Sequence, residues 1–274
     1  MLKLMYITNQ PEIAKIVDEN GVDRIFIDLE TLGKQKRQGG MDTVQSKHSI
    51  EDIPKVKAVV SKAEIMVRVN PLHDVTGEYL SSKDEIDAVI EAGADIIMLP
   101  YFKSAKEVET FIQYVGGRAR VLPLVETPEA VSCIDEILSL DGLDEIFVGL
   151  NDLSLGYGKK FMFELLADGT LEMLCVKFRQ KGIPFGFGGI ASLGKGMLPS
   201  EYIIREHYRL ESTCAILSRS FCRTDMVKDL DEVRSIFATG LPEIRTLEKE
   251  CEEYSAYFRD NRKEVVEKIE AICG

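Results

Sequence analysis

The chain has 274 residues, 45% of them hydrophobic, which is enough for one large domain or two small ones around an ordinary core. Its formal net charge of −12 argues against a general nucleic-acid or anionic-membrane binder, because both need a basic surface; an anionic small molecule in a locally positive pocket stays open. No stretch approaches the ~20 apolar residues of a membrane span, and the six cysteines form no Cys-x-x-Cys pair, so they read as reduced thiols of a cytoplasmic protein.

The opening run LKLMYIT (2–8) lacks the long apolar region and cleavage pattern of a signal peptide and reads as a first strand. Strand-like runs follow at RIFIDLE (24–30), EIMVRVN (64–70), DIIMLPY (95–101), RVLPLVE (120–126), EIFVGLN (145–151), PFGFGGIA (184–191) and CAILSRS (214–220). Most are short and rich in Ile, Val, Leu and Phe, as buried parallel strands are. Helical stretches lie between them. SKDEIDAVIEAG (82–93) stops at Gly93, SAKEVETFIQYVGG (104–117) starts on the cap Ser104, and TPEAVSCIDEILSL (127–140) has Thr127 as cap with Pro128 at the first helical position. Eight strands joined by helix-length connections predict a single (β/α)₈ TIM barrel. An open doubly wound sheet is the competitor, but no Gly-x-Gly-x-x-Gly follows the first strand.

Two segments depart from a minimal barrel. Residues 31–49, TLGKQKRQGGMDTVQSKHS, form a long polar connection carrying Lys34, Lys36, Arg37, Lys47 and His48, and are expected either as an anion-binding lid or as a solvated loop. The barrel is assigned to 1–240 and a helical extension to 241–274. That extension is predicted as an amphipathic helix from Pro242 to Cys273, bent near Asp260–Asn261, packed on its own barrel or on a neighbouring subunit of a homo-oligomer.

Active sites of such barrels form at the C-terminal ends of the strands. There the sequence places Asp28 and Glu30, Arg68 and Asn70, Glu126, Asn151 and Asp152, Gly188 and Gly189, and Ser218 with Arg219. Glu126 and Asp152 are one βα unit apart. Two carboxylates so close repel unless a proton or cation lies between them, and a hard divalent ion with oxygen ligands resolves the conflict. The competing role is helix capping, which Thr127 already supplies for Glu126. Arg68 closes an apolar strand and is expected to pair with Asp28 or Glu30, to face a substrate carboxylate or enolate oxygen, or both. His48 is a candidate acid or base. His207 reads as structural, and the glycines after strand seven either admit an anion to backbone N–H groups, with Arg219 beside them, or relieve crowding.

PLVETPEAV and GLDEIFVGLNDLS, with GADIIMLPYFKSAKEVE and VRVN, resemble the HpcH/HpaI aldolase and citrate lyase family over about residues 20–225. The resemblance implies that Glu126 and Asp152 bind Mg²⁺ or Mn²⁺, since oxygen ligands admit both. It implies further that Arg68 contacts substrate and that the backbone around Gly149, Leu150 and Asn151 receives its carboxylate. The implied chemistry is metal-assisted C–C cleavage or formation through a pyruvate-type enolate. This sequence departs from the pattern where the aldolases have a histidine after the strand-two acid: Glu30 is followed by Thr31. It departs again at Leu124, where many aldolases carry glutamine. The expected site is therefore Arg68 and His48 for catalysis, Glu126 and Asp152 for metal, and Glu30, Arg37, Gly149, Asn151, Gly189 and Arg219 around a small carboxylate substrate. A phosphorylated acid and a non-catalytic binding barrel are the alternatives.

Overall fold

A computed structural model describes residues 1–34, 48–224, 226–227 and 229–274. Eight parallel strands close in chain order, each paired with its sequence neighbours and β8 with β1. They are β1 Lys3–Ile7, β2 Arg24–Asp28, β3 Glu64–Arg68, β4 Ile96–Leu99, β5 Arg120–Val125, β6 Ile146–Val148, β7 Phe185–Ile190 and β8 Cys214–Leu217. Around them run α1 Pro11–Glu19, α2 Asp52–Lys57, α3 Ser82–Glu91, α4 Ala105–Val115, α5 Pro128–Ser132, α6 Ile134–Leu138, α7 Leu150–Gly156, α8 Glu164–Ala167, α9 Thr170–Lys181, α10 Ser200–Arg209, α11 Leu230–Glu253 and α12 Phe258–Cys273. Among the described residues no helix is long and apolar enough to cross a membrane.

The two-residue period of a strand sorts its side chains. One set, with Ile25, Ile27, Ile65, Val67, Ile97 and Val125, packs outward into the main core against the helices. The other, with Met5, Phe26, Met66, Ile96, Met98, Leu122, Leu124, Phe147 and Cys214, forms a second apolar cluster. The closed barrel puts this second set in its lumen. Gly186 makes room there: a Cβ would stand 2.3 Å from the Cys214 carbonyl oxygen and 2.7 Å from Phe147.

The expected caps form, with Ser104 Oγ accepting the Glu107 N–H and Thr127 Oγ1 accepting the Ala130 N–H. The helix expected over 127–140 is divided at Cys133, although the Ile137 N–H still reaches the Cys133 carbonyl. Larger differences lie at the C-terminus. Helix α11 begins at Leu230, where Asp229 accepts the Asp231 N–H, and it runs through Pro242. Its buried stripe Val233, Phe237, Leu241, Ile244, Leu247, Cys251 continues across the proline, so burial outweighs the one lost backbone bond. The break falls at Tyr254–Tyr257, not at Asp260–Asn261. Asn261 is buried and donates to Glu206 Oε1 at 2.9 Å and to the Tyr202 carbonyl, so it ties α12 to α10 instead of marking a bend. Both C-terminal helices contact the barrel's own helices, α11 against α1 and α10, and α12 against α8 and α10.

Candidate active site

The C-terminal mouth of the barrel opens into a cavity of about 780 Å³, within the size range of small-molecule sites. Strands β2 and β3 bring Asp28 and Arg68 side by side in register. Arg68 Nε donates to Asp28 Oδ1 and Nη2 to Oδ2, both at 2.8 Å, while Nη1 lies 3.3 Å from Glu30 Oε2. Lys34 Nζ donates to Asp28 Oδ2 at 2.7 Å, and the Glu30 N–H completes the set on Oδ1. Burial alone would raise the Asp28 pKa; Arg68 and Lys34 outweigh it and hold the carboxyl well below the usual carboxylate range. Burial likewise disfavours the Arg68 cation, but Asp28 and Glu30 keep it charged. Arg68 thus pairs with Asp28 and also lines the cavity, a combination the sequence left open.

His48 also reaches this wall. Its Nδ1 accepts the Asp28 backbone N–H at 2.9 Å, and burial pushes the ring below its ordinary pKa. A neutral ring bound in this way carries its proton on Nε2, a donor.

Glu126, just beyond β5, is buried, and its Oε1 accepts the Tyr101 N–H at 2.9 Å. Tyr101 holds a left-handed backbone, φ 49°, to make that contact. Gly149 lies against the other side: a Cβ there would stand 2.8 Å from Glu126 Oε2. The need for glycine at this point is thus steric and local. Asp152 does not end a strand as expected. β6 stops at Val148, and Asp152 sits in the first turn of α7, where the helix N-terminus favours an acid. Burial, reinforced by the charges of Glu30 and Asp152, pushes the Glu126 carboxyl up to about 8 despite attraction from Arg68. Two carboxylates placed so that one raises the pKa of the other are a set of oxygen donors that fits a hard divalent cation. Among the described residues no cluster of three or more His, Cys, Asp or Glu side chains is poised to hold a metal. A cation here would draw its remaining ligands from water and substrate oxygens.

Of the other expected residues, Gly149, Asn151, Gly189 and Arg219 line the cavity, Glu30 lies beneath Arg68, and Arg37 lies outside the described residues. Sequence reasoning overlooked the far wall, where Tyr6, Thr8, Asn9, Gln10 and Thr224 meet. The polar tail Thr8-Asn9-Gln10 directly after the first strand is the signal that could have found it. Tyr6 donates to the Cys222 carbonyl at 3.0 Å and so ties the β8 loop to β1.

A family model for HpcH/HpaI aldolase/citrate lyase matches residues 3–167. A curated hydroxypyruvate/pyruvate aldolase of Rhizorhabdus wittichii (strain DSM 6014 / CCUG 31198 / JCM 15750 / NBRC 105917 / EY 4224 / RW1) is 54% identical over 37 residues, a match covering 14% of this chain and 15% of that protein. The crystal structure of an HpcH/HpaI aldolase from Desulfitobacterium hafniense DCB-2 has a TM-score of 0.61 at 15% identity, over 85% of this chain and 93% of that one. An HpcH/HpaI aldolase/citrate lyase family protein from Burkholderia cenocepacia J2315 has the same score and identity, over 85% of this chain and 94% of that one. At such identity these two structures speak for the fold alone.

Proposed function

The chain belongs to the HpcH/HpaI aldolase/citrate lyase family, and on that premise we propose that it is a divalent-metal-dependent carbon–carbon lyase that acts on a 2-oxo acid through an enolate. The observation that carries this reading is that the buried Glu126 and the half-buried Asp152 face the same cavity as Arg68. Glu126 and Asp152 would hold Mg²⁺ or Mn²⁺, which when bound supplies Lewis-acid stabilisation of developing negative charge. Arg68, locked by Asp28 and Glu30, presents a fixed guanidinium to the same charge without reorganising. The N–H groups at the start of α7, near Gly149 and Asn151, are suited to a substrate carboxylate. His48 offers its Nε2–H as a donor from the opposite wall. The likeness to a hydroxypyruvate/pyruvate aldolase supports a pyruvate-like donor.

Methyl-proton exchange of pyruvate in D₂O with Mg²⁺ or Mn²⁺, followed by NMR, tests the reading. Exchange is expected in the wild type and is expected to vanish in Glu126→Ala. A wild type that exchanges no small 2-oxo acid would overturn it and return the barrel to a binding role. A phosphorylated acid is the second reading, supported by Arg219 and Gly189 on one wall of the cavity. It requires thermal stabilisation by phosphoenolpyruvate that Arg219→Ala removes.

A further inference from the structure

Thr31, which directly follows Glu30, turns away from the reaction space. Its N–H and hydroxyl donate to Asn70 Oδ1 at 2.9 and 3.4 Å, and its hydroxyl also reaches Tyr79. Thr31 does not line the cavity; Lys34, three residues on, does. Lys34 is a buried lysine, held by Asp28 at 2.7 Å with Glu30 at 3.7 Å. The proton-accepting atoms of Asp28 and His48 on this wall are already engaged. Asp28 accepts from Arg68 on both oxygens, from Lys34 on one and from the Glu30 N–H on the other. The basic nitrogen of His48 is occupied by the Asp28 N–H. The Arg68 guanidinium does not give up a proton at ordinary pH. A lysine ammonium has three N–H bonds, and Asp28 takes one of them at hydrogen-bond distance.

We propose that Lys34 is the proton donor and acceptor at the oxygen of the second reactant, the aldehyde. This role rests on the enolate reading above. In the condensing direction the enolate carbon attacks the aldehyde carbon and the new C–C bond forms. The π pair of the aldehyde C=O moves onto its oxygen. One N–H bond of Lys34 breaks as the O–H bond of the product alcohol forms, and the neutral amine regains its proton from water. Cleavage is the reverse: the amine takes the hydroxyl proton as the C–C electrons enter the enolate.

Two probes separate this step from enolate formation. Cleavage of 4-hydroxy-2-oxopentanoate needs a proton removed from a hydroxyl oxygen. Decarboxylation of oxaloacetate reaches the same enolate by losing CO₂ and needs none. Full-length wild type, Lys34→Met and Lys34→Arg are assayed on both with Mn²⁺, the metal-only rate being subtracted. Arginine keeps the charge beside Asp28, so the site stays assembled, but it holds its proton. Both variants are expected to lose about 10²–10⁴-fold in aldol cleavage, the usual worth of general acid–base catalysis, and Lys34→Arg, which keeps the charge, to hold decarboxylation within about threefold of wild type, well under the tenfold that 1.4 kcal/mol represents. Lys34→Arg cleaving the hydroxy acid at the wild-type rate would overturn the proposal, as would equal loss of both reactions, which would make Lys34 a positioning residue for Arg68. A wild type inert toward both probes overturns the enolate reading itself and takes this role with it.

Discussion

The two ends of the barrel lumen are built by the same strands, yet they solve opposite electrostatic problems. At the bottom, β2, β3 and β5 begin with Arg24, Glu64 and Arg120, and Glu145 precedes β6. Arg24 is fully buried and donates to both oxygens of Glu145 at 2.5 and 2.7 Å, with Glu64 and Arg120 completing the ring. Two strand positions further come Phe26, Met66, Leu122 and Phe147, an apolar plug. Beyond it β2 and β3 end in Asp28 and Arg68, β5 leads into Glu126 and β6 into Gly149. The bottom matches two cations to two carboxylates. At the top, Lys34 and Arg68 answer Asp28 and Glu30, while Glu126 keeps a carboxyl pushed up to about 8. Buried charge by itself does not mark a site. A buried carboxyl whose ionisation its surroundings disfavour is the better marker, because a cation or substrate can supply what is missing.

The sharpest way to break this contrast is to neutralise one acid at each end. Glu126→Gln should lower aldol cleavage about a thousandfold, the equivalent of several kcal/mol of lost Lewis-acid stabilisation. Its unfolding free energy, measured in urea without metal, should hold or rise, because the lost carboxylate was poorly compensated. Glu145→Gln should do the reverse, costing about 3 kcal/mol of stability because Arg24 stays buried without its main partner. It should leave the kinetics of the folded fraction unchanged. If Glu145→Gln proved harmless in urea while Glu126→Gln unfolded the protein, the assignment of the two ends would be wrong.

Mn²⁺ should sharpen the contrast further. At about 100 times its dissociation constant it should stabilise the wild type by about 2.7 kcal/mol, and Glu145→Gln equally, while Glu126→Gln and Asp152→Asn gain nothing. Scanning calorimetry with and without the ion reads this directly. A gain surviving in both upper variants would place the ion elsewhere.

The strands were legible because burial on both faces imposes runs of Ile, Val and Leu, although each was expected to run past its observed end. Glu126 and Arg68 were legible for the same reason, as polar residues closing such runs, whereas Asp152, expected there too, lies in the first turn of α7. The far wall was not. Tyr6, Asn9 and Thr224 meet only because closure pairs β1 with β8, a contact between residues some two hundred positions apart. Asn261 was misread because a polar residue on an apolar stripe looks like a bend until its partner Glu206, on another helix, is known. The Lys34–Asp28 pair was hidden in a loop whose lysines all look alike in sequence.

His207 supplies the third case, burial with no charge partner at all. It lies between α10 and β7, stacked on Phe187 with ring centroids 3.8 Å apart and its Nδ1 bonded to Ser212. Burial alone pushes its pKa down to about 3. The folded protein therefore keeps the ring neutral at pH values where the unfolded chain, titrating near 6.5, binds a proton. The contribution to stability is complete above about pH 6.5 and is lost as pH falls toward 3, with a slope of at most about 1.4 kcal/mol per pH unit. His207→Phe keeps the ring stack and leaves the Ser212 hydroxyl its carbonyl partners at Phe185 and Cys214. Urea unfolding between pH 6 and 4.5 should thus show the wild type losing up to one proton's worth of stability that the variant does not. Identical slopes would mean that water or local opening reaches the ring, and that burial at this layer is less complete than at Arg24.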